Sequence, residues 1–234
     1  MRATSNLALL QLAARKLGHL NDSVVYLGGC ATALFINDPA ALDVRATIDV
    51  DCIVDVISLM EYQKFEKQLF EKGFKQSMED NVICRFHYDE IILDVMPTDQ
   101  KILGFGNRWY KEALQNSIKH QIADDLIIKS ISASYFLATK FEAFKTRGNN
   151  DLWSSHDYED IISVIAGRVN LVEEIALANS ELREHLREEF KRLLQNDQFQ
   201  PTLPGHLNDG PATMKNVQVV INRINQIVDH ELSL

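Results

Sequence analysis

Arg45-Ala46-Thr47-Ile48-Asp49-Val50-Asp51-Cys52-Ile53-Val54 is the stretch on which the reading of the fold turns. Residues 47–54 are rich in β-branched and apolar side chains and read as a strand. Side chains alternate between the faces of a strand, so Thr47, Asp49 and Asp51 are expected on one face. Ile48, Val50, Cys52 and Val54 are expected on the other, in the core. Two carboxylates on one strand face cannot be sunk in apolar packing, because unpaired buried charge is expensive. They must be solvated, paired or bound to a cation.

Upstream, Val24-Val25-Tyr26-Leu27 is a short β-rich run that ends in Gly28-Gly29, and a helix-like stretch from Cys30 to Ile36 follows. Glycines at such a turn let the backbone bend sharply and approach a ligand closely. The helix start behind them offers unpaired N–H groups to phosphate oxygens. Neither a Walker loop nor GxGxxG is present. Downstream, residues 59–73 read as an amphipathic helix, and Val82 to Tyr88 and Ile91 to Met96 as two strands joined at Asp89-Glu90. The second of these carries a lone acid, Asp94, at the centre of an apolar run, where propensity and solvation both disfavour it. If that strand pairs near the first, Asp94 meets Asp49 and Asp51, and hard oxygen donors converge as Mg²⁺ requires. The competing reading makes these edge-strand acids facing water, or partners of Arg45 and Arg85.

Residues 117–122 and 126–131 read as further strands. From residue 133 onward helical periodicity dominates, over 135–146, 156–166, 171–194 and 214–232. Residues 200–211 carry three prolines and two glycines and read as a loop or linker. The expected class is α/β (α+β): a mixed strand–helix catalytic half over residues 1–132, then a helical half over 133–234. A cleft between such halves is the expected substrate site.

The whole chain narrows the function classes. Its 234 residues, 46% hydrophobic and 24% charged, have the composition of an ordinary globular protein. The formal net charge of −9 argues against a general nucleic-acid-binding face, and no DNA partner is expected. Cys30, Cys52 and Cys84 are scattered, with no CxxC pair, which fits free thiols in a reducing compartment. The seven histidines show no metal-ligand spacing. Gln11, Arg15 and Lys16 interrupt the apolar positions of the first helix, so it reads as amphipathic rather than as a signal peptide. No apolar run approaches the roughly 18 residues of a membrane span. A cytoplasmic protein without a membrane partner is expected.

The order Gly28-Gly29, then Asp49-Val50-Asp51, then Asp94 resembles the polymerase-β-like nucleotidyltransferase superfamily. More closely, Gly28-Gly29-Cys30-Ala31-Thr32-Ala33-Leu34 with residues 45–51 looks like the AbiEii-type (abortive infection) nucleotidyltransferases, best known as toxins of toxin–antitoxin pairs. Leu137-Ala138-Thr139-Lys140-Phe141-Glu142-Ala143, then Arg147, then His156-Asp157-Tyr158-Glu159-Asp160-Ile161 resembles that branch's lysine helix and following Asp motif. Lys140, Ala143 and Arg147 share a helical face, as do Asp157 and Asp160, of which the motif favours Asp157.

The resemblance covers residues 20–166. It implies a nucleotidyltransferase domain with a mixed sheet followed by a helical domain. It also implies transfer of an NMP from an NTP to an acceptor hydroxyl with two Mg²⁺ ions. Asp49, Asp51 and Asp94 would be the metal ligands, and Gly28, Gly29, Arg45, Thr47 and Lys140 would hold the nucleotide, with Lys140 and Asp157 also catalytic. The implied acceptor is a macromolecule, tRNA or protein, and the implied partner an antitoxin protein. A small-molecule (antibiotic) acceptor and a non-catalytic NTP-binding protein are the alternatives.

Overall fold

Six strands form one mixed sheet in the computed structural model, which describes residues 2–77, 80 and 82–229. They are β1 (Val24–Leu27), β2 (Asp49–Val54), β3 (Arg85–Tyr88), β4 (Ile91–Pro97), β5 (Ile118–Ala123) and β6 (Leu126–Ser130). Their order across the sheet is β3-β4-β2-β1-β6-β5. The β1–β6 and β2–β4 pairs are parallel, and the other neighbours antiparallel. Chain contacts divide the protein into two units: Met1–Leu34 with Arg45–Ser132, and Phe35–Val44 with Ala133–Leu234.

The first unit holds the whole sheet with helices α1 (Arg2–Leu17), α2 (Gly28–Ala31), α3 (Leu59–Glu71) and α4 (Tyr110–Gln115). Val50, Cys52 and Val54 of β2, with Leu93 and Val95 of β4, pack against Leu10, Ala13 and Leu17 of α1 and Tyr62, Phe65 and Leu69 of α3. This apolar half of the alternation fixes which face of β2 carries Asp49 and Asp51. Ile48 departs from expectation. It lies one residue before β2 begins and is 74% exposed. α3 starts where Ser58 Oγ accepts from the Glu61 amide while the Glu61 carboxylate accepts from the Ile57 amide. The Tyr62 hydroxyl then donates to the Val95 carbonyl at 2.8 Å, tying α3 to β4 inside the core.

The second unit is helical: α5 (Ala133–Thr146), α6 (His156–Gly167), α7 (Leu171–Ala176), α8 (Ser180–Gln195), α9 (Phe199–His206) and α10 (Thr213–Asp229). The single helix expected over 171–194 is two. Asn179 accepts from the Leu182 amide and caps α8 afresh after α7 has ended. The expected linker at 200–211 is in its first half a helix. Pro201 falls in the first turn of α9, where its missing N–H costs nothing, although Pro204 is inside the helix. Burial of Phe199, Thr202 and Leu203 outweighs the weak propensity. Residues 35–44 join this unit through the Asn37 and Asp38 amides, both 3.0 Å from the Gly167 carbonyl, and through Arg168, which donates to the Phe35 carbonyl.

Tyr62→Phe keeps the ring and strips the buried Val95 carbonyl of its donor. A loss of about 1–2 kcal/mol is expected from urea denaturation followed by circular dichroism. An unchanged midpoint would mean that the bond adds nothing to holding α3.

Candidate functional site

The register of β2 against its neighbours assembles the site. Asp51 of β2 is the direct partner of Asp94 in β4, and Asp94 is the direct partner of Arg85 in β3. Direct partners project from the same sheet face, so Arg85, Asp94 and Asp51 form a row across three strands. Asp49, two residues before Asp51, lies on the same face. β2 and β4 are interior strands, which corrects the edge-strand alternative. Arg85 realises the ion-pair alternative at Asp94 and Asp49. Arg85 Nε and Nη2 donate to the two oxygens of Asp94 at 2.8 and 2.7 Å, and Nη2 reaches Asp49 Oδ2 at 3.2 Å. Thr47 Oγ1 donates to the other Asp49 oxygen at 2.6 Å.

Asp94 is 6% exposed. A carboxylate that buried needs a counter-charge, and the bidentate fork supplies it. The same bonds hold the Arg85 guanidinium above its ordinary range, against the opposing effect of partial burial. Burial, with Asp94 adding to it, pushes the Cys84 thiol up to about 12. Cys30 and Cys52 are raised by burial as well, with Asp51 the leading charge in each case. These thiols stay protonated and act as small apolar groups.

The glycine pair has two distinct reasons. Gly28 adopts φ +72°, and a Cβ there would lie 1.9 Å from Asp51 Oδ2, so the missing side chain makes room for that carboxylate. A Cβ on Gly29 would lie 2.4 Å from Arg45 Nη2, so the guanidinium packs onto its backbone. The helix behind them is shorter than the sequence led us to expect. α2 has four residues before a 3₁₀ turn over Thr32–Phe35, too short for a substantial helix dipole. Arg45 and Thr47 sit on a loop held by a residue that sequence reasoning missed. Asn6 Nδ2 donates to the Arg45 carbonyl at 2.9 Å and its Oδ1 accepts from the Thr47 amide at 3.2 Å. Asn6 is fully buried, and nothing in an amphipathic helix pattern marks it.

The donor set bears on the expected Mg²⁺. Asp49, Asp51 and Asp94 are hard oxygen donors on one face, suited in kind to such an ion. A cation already stands among them, the Arg85 guanidinium. As the side chains stand, no three His, Cys, Asp or Glu among the described residues are grouped to hold a metal ion. The three carboxylates suit the ion in kind and in face, and Arg85 stands on Asp49 and Asp94.

A second charged cluster lies within the helical unit. Lys140 Nζ contacts Asp157 Oδ1 at 2.9 Å and Asp160 Oδ2 at 2.7 Å, with all three side chains buried. Arg147 adds a fork onto both Asp157 oxygens at 2.8 Å. The structure thus brings together Lys140 of α5 and Asp157 of α6, and it buries Asp160 beside them. Burial alone would raise the Asp157 carboxyl, but Arg147 and Lys140 overcome it and hold the group well below the usual carboxylate range. Burial opposes the Lys140 charge too, and Asp160 and Asp157 outweigh it, raising the ammonium above its ordinary value.

No family model matches the chain, and none of the curated proteins matches it.

Gly28→Ala should cost more than the ~1 to 2 kcal/mol of a left-handed backbone, because the methyl meets the Asp51 carboxylate. Gly104 has φ +80° and open space at its Cβ position, so Gly104→Ala isolates the backbone cost. Equal losses in thermal melts of the two variants would remove Gly28 from the Asp51 argument. Lys140→Met leaves Asp157 and Asp160 without their ammonium and should cost about 3–5 kcal/mol at pH 7. A depressed carboxyl contributes stability that is fully present above about pH 4 and is lost as pH falls through its folded value. In Lys140→Met the Asp157 carboxyl loses one of the two cations that hold it down and protonates more readily, so the gap to the wild type should narrow between pH 7 and pH 4.5. A gap independent of pH would show that lost packing, not lost charge, is responsible.

Proposed function

We propose that this chain is a Mg²⁺-dependent nucleotidyltransferase that moves an NMP from an NTP to a hydroxyl on a macromolecular acceptor, tRNA or protein. The observation that carries the reading is the pairing of Asp51 with Asp94 on adjacent interior strands, with Asp49 on the same face. Gly28, which opens room beside the Asp51 carboxylate, supports it. The resemblance of residues 20–166 to the AbiEii-type enzymes supplies the reaction type and the role of a toxin with an antitoxin partner.

In this reading Asp49, Asp51 and Asp94 hold the divalent ions, which when bound supply the positive charge that in-line phosphoryl displacement needs. Asp94 orients the attacking hydroxyl and accepts its proton. Arg45, packed on Gly29, offers its guanidinium to the triphosphate as negative charge shifts toward pyrophosphate. Thr47 fixes the Asp49 carboxylate through its hydroxyl. Within the helical unit Lys140 and Asp157 hold α5 to α6, the elements that carry the lysine and Asp motifs.

Two other readings have an observation each. The net charge of −9 favours a small-molecule acceptor over polyanionic tRNA. The guanidinium seated on Asp94 and Asp49 favours a non-catalytic NTP-binding protein.

Incubation with each α-³²P-labelled NTP, Mg²⁺, total tRNA and cell lysate separates them. Label is expected on tRNA or on a protein, and Asp51→Asn should reduce it by on the order of a hundredfold or more. No label on tRNA or protein, with label on an aminoglycoside or lincosamide in a parallel incubation that contains them, would move the acceptor to the small-molecule class. Transfer undiminished in Asp51→Asn would end the carboxylate assignment.

A further inference from the structure

Arg85 engages the oxygens that a divalent ion has to reach. Both oxygens of Asp94 are taken by its Nε and Nη2 at 2.8 and 2.7 Å, and the same Nη2 holds Asp49 Oδ2 at 3.2 Å. Asp94 is buried, so it has little water to fall back on when the fork leaves. The guanidinium, by contrast, comes from β3, the edge strand of the sheet, and its side chain keeps 22% of its surface exposed. Asp80 is close enough to contribute to holding its charge. Buried Asp94 is therefore the fixed partner of this cluster and the arginine the movable one.

We propose that Arg85 is a built-in competitor of the metal. It neutralises Asp94 and Asp49 when no ion is bound, and it must release at least one oxygen of Asp94 before an ion can bind there. The inference rests on the nucleotidyltransferase reading for the existence of the metal site and adds to it the residue that sets how readily the site loads. Guanidinium and a divalent cation cannot share the same carboxylate lone pairs at hydrogen-bond distance. Metal affinity is consequently a difference between two cation–carboxylate interactions, and weakening one strengthens the other. Arg85 is a positioning residue here, acting through Asp94 and Asp49.

The test is direct Mn²⁺ binding, by calorimetry and by loss of the free-ion paramagnetic resonance signal, without nucleotide. It compares the wild type with Arg85→Gln, Arg85→Lys and Asp51→Asn. Arg85→Gln should bind Mn²⁺ about tenfold more tightly than the wild type, because one charged hydrogen-bonded competitor is gone. Arg85→Lys, a single point charge without the fork, should fall between them. Metal-free Arg85→Gln should melt below the wild type, and saturating Mn²⁺ should close the gap, whereas a merely structural arginine would leave it open. Equal or weaker Mn²⁺ binding by Arg85→Gln, with the wild type still binding and Asp51→Asn not, overturns the competition and leaves the nucleotidyltransferase reading intact. Binding by none of the proteins overturns both. Should Arg85→Gln fail to fold, the same comparison between Arg85→Lys and the wild type decides the matter.

Discussion

The parallel pairing of β2 with β4, in the register that sets Asp51 opposite Asp94, is the constraint on which the rest of the first unit depends. A slip of one residue would send Val50, Cys52 and Leu93 to the outer face and the acids into the core. The register is thus set twice. The apolar side chains demand it on the face of α1 and α3, and the price of burying charge forbids its alternatives. Parallel neighbours cannot be joined by a tight turn, so the chain must cross over between them. It does so through α3, and the antiparallel hairpin of β3 with β4 then delivers Arg85 beside Asp94. One crossover provides the carboxylate row and its cation together.

The two charged clusters satisfy buried acids by different means. In the sheet unit, the cation is an arginine on an edge strand, planar, forked and partly in water. In the helical unit, it is a lysine sealed at 5% side-chain exposure between two aspartates, with Arg147 closing Asp157 from the solvent side. The first arrangement leaves its cation an exit and the second does not. Removing the lysine takes from Asp157 and Asp160 the cation buried between them, so the cluster's first consequence is cohesion between α5 and α6.

Much of the sheet was legible in the sequence because strand alternation is a local signal. The run from Asp49 to Val54 sorts its own faces, and Gly28-Gly29 marks its own turn. Asp94 was legible because an acid amid Ile, Leu, Val and Met has no local justification. What stayed hidden depends on partners distant in sequence. Arg85 could be named only as one possible partner of the acids until β3 is placed beside β4. Asn6 sits on a helix whose pattern says only that it faces inward, and its bonds run to a loop some forty residues away. α9 was lost to its prolines, whose effect on a helix depends on where in it they fall. The 35–44 segment carries loop composition, and only the Gly167 carbonyl shows which unit it belongs to.

The commitment of Lys140 alters how the proposed chemistry divides its charges. An ammonium held by two buried aspartates has its charge already balanced, and transfer of one bond to a phosphate would unbalance an apolar interior. In the proposed chemistry, positive charge for a triphosphate comes from Arg45 and Arg85, on the unit that carries the glycine turn and the carboxylate row. Arg45 packs onto Gly29, and under the proposed competition Arg85 would leave Asp94 as a metal binds. In that division the lysine motif keeps the helical unit in shape, and the sheet unit carries both the acids that bind the ions and the cations that meet the nucleotide.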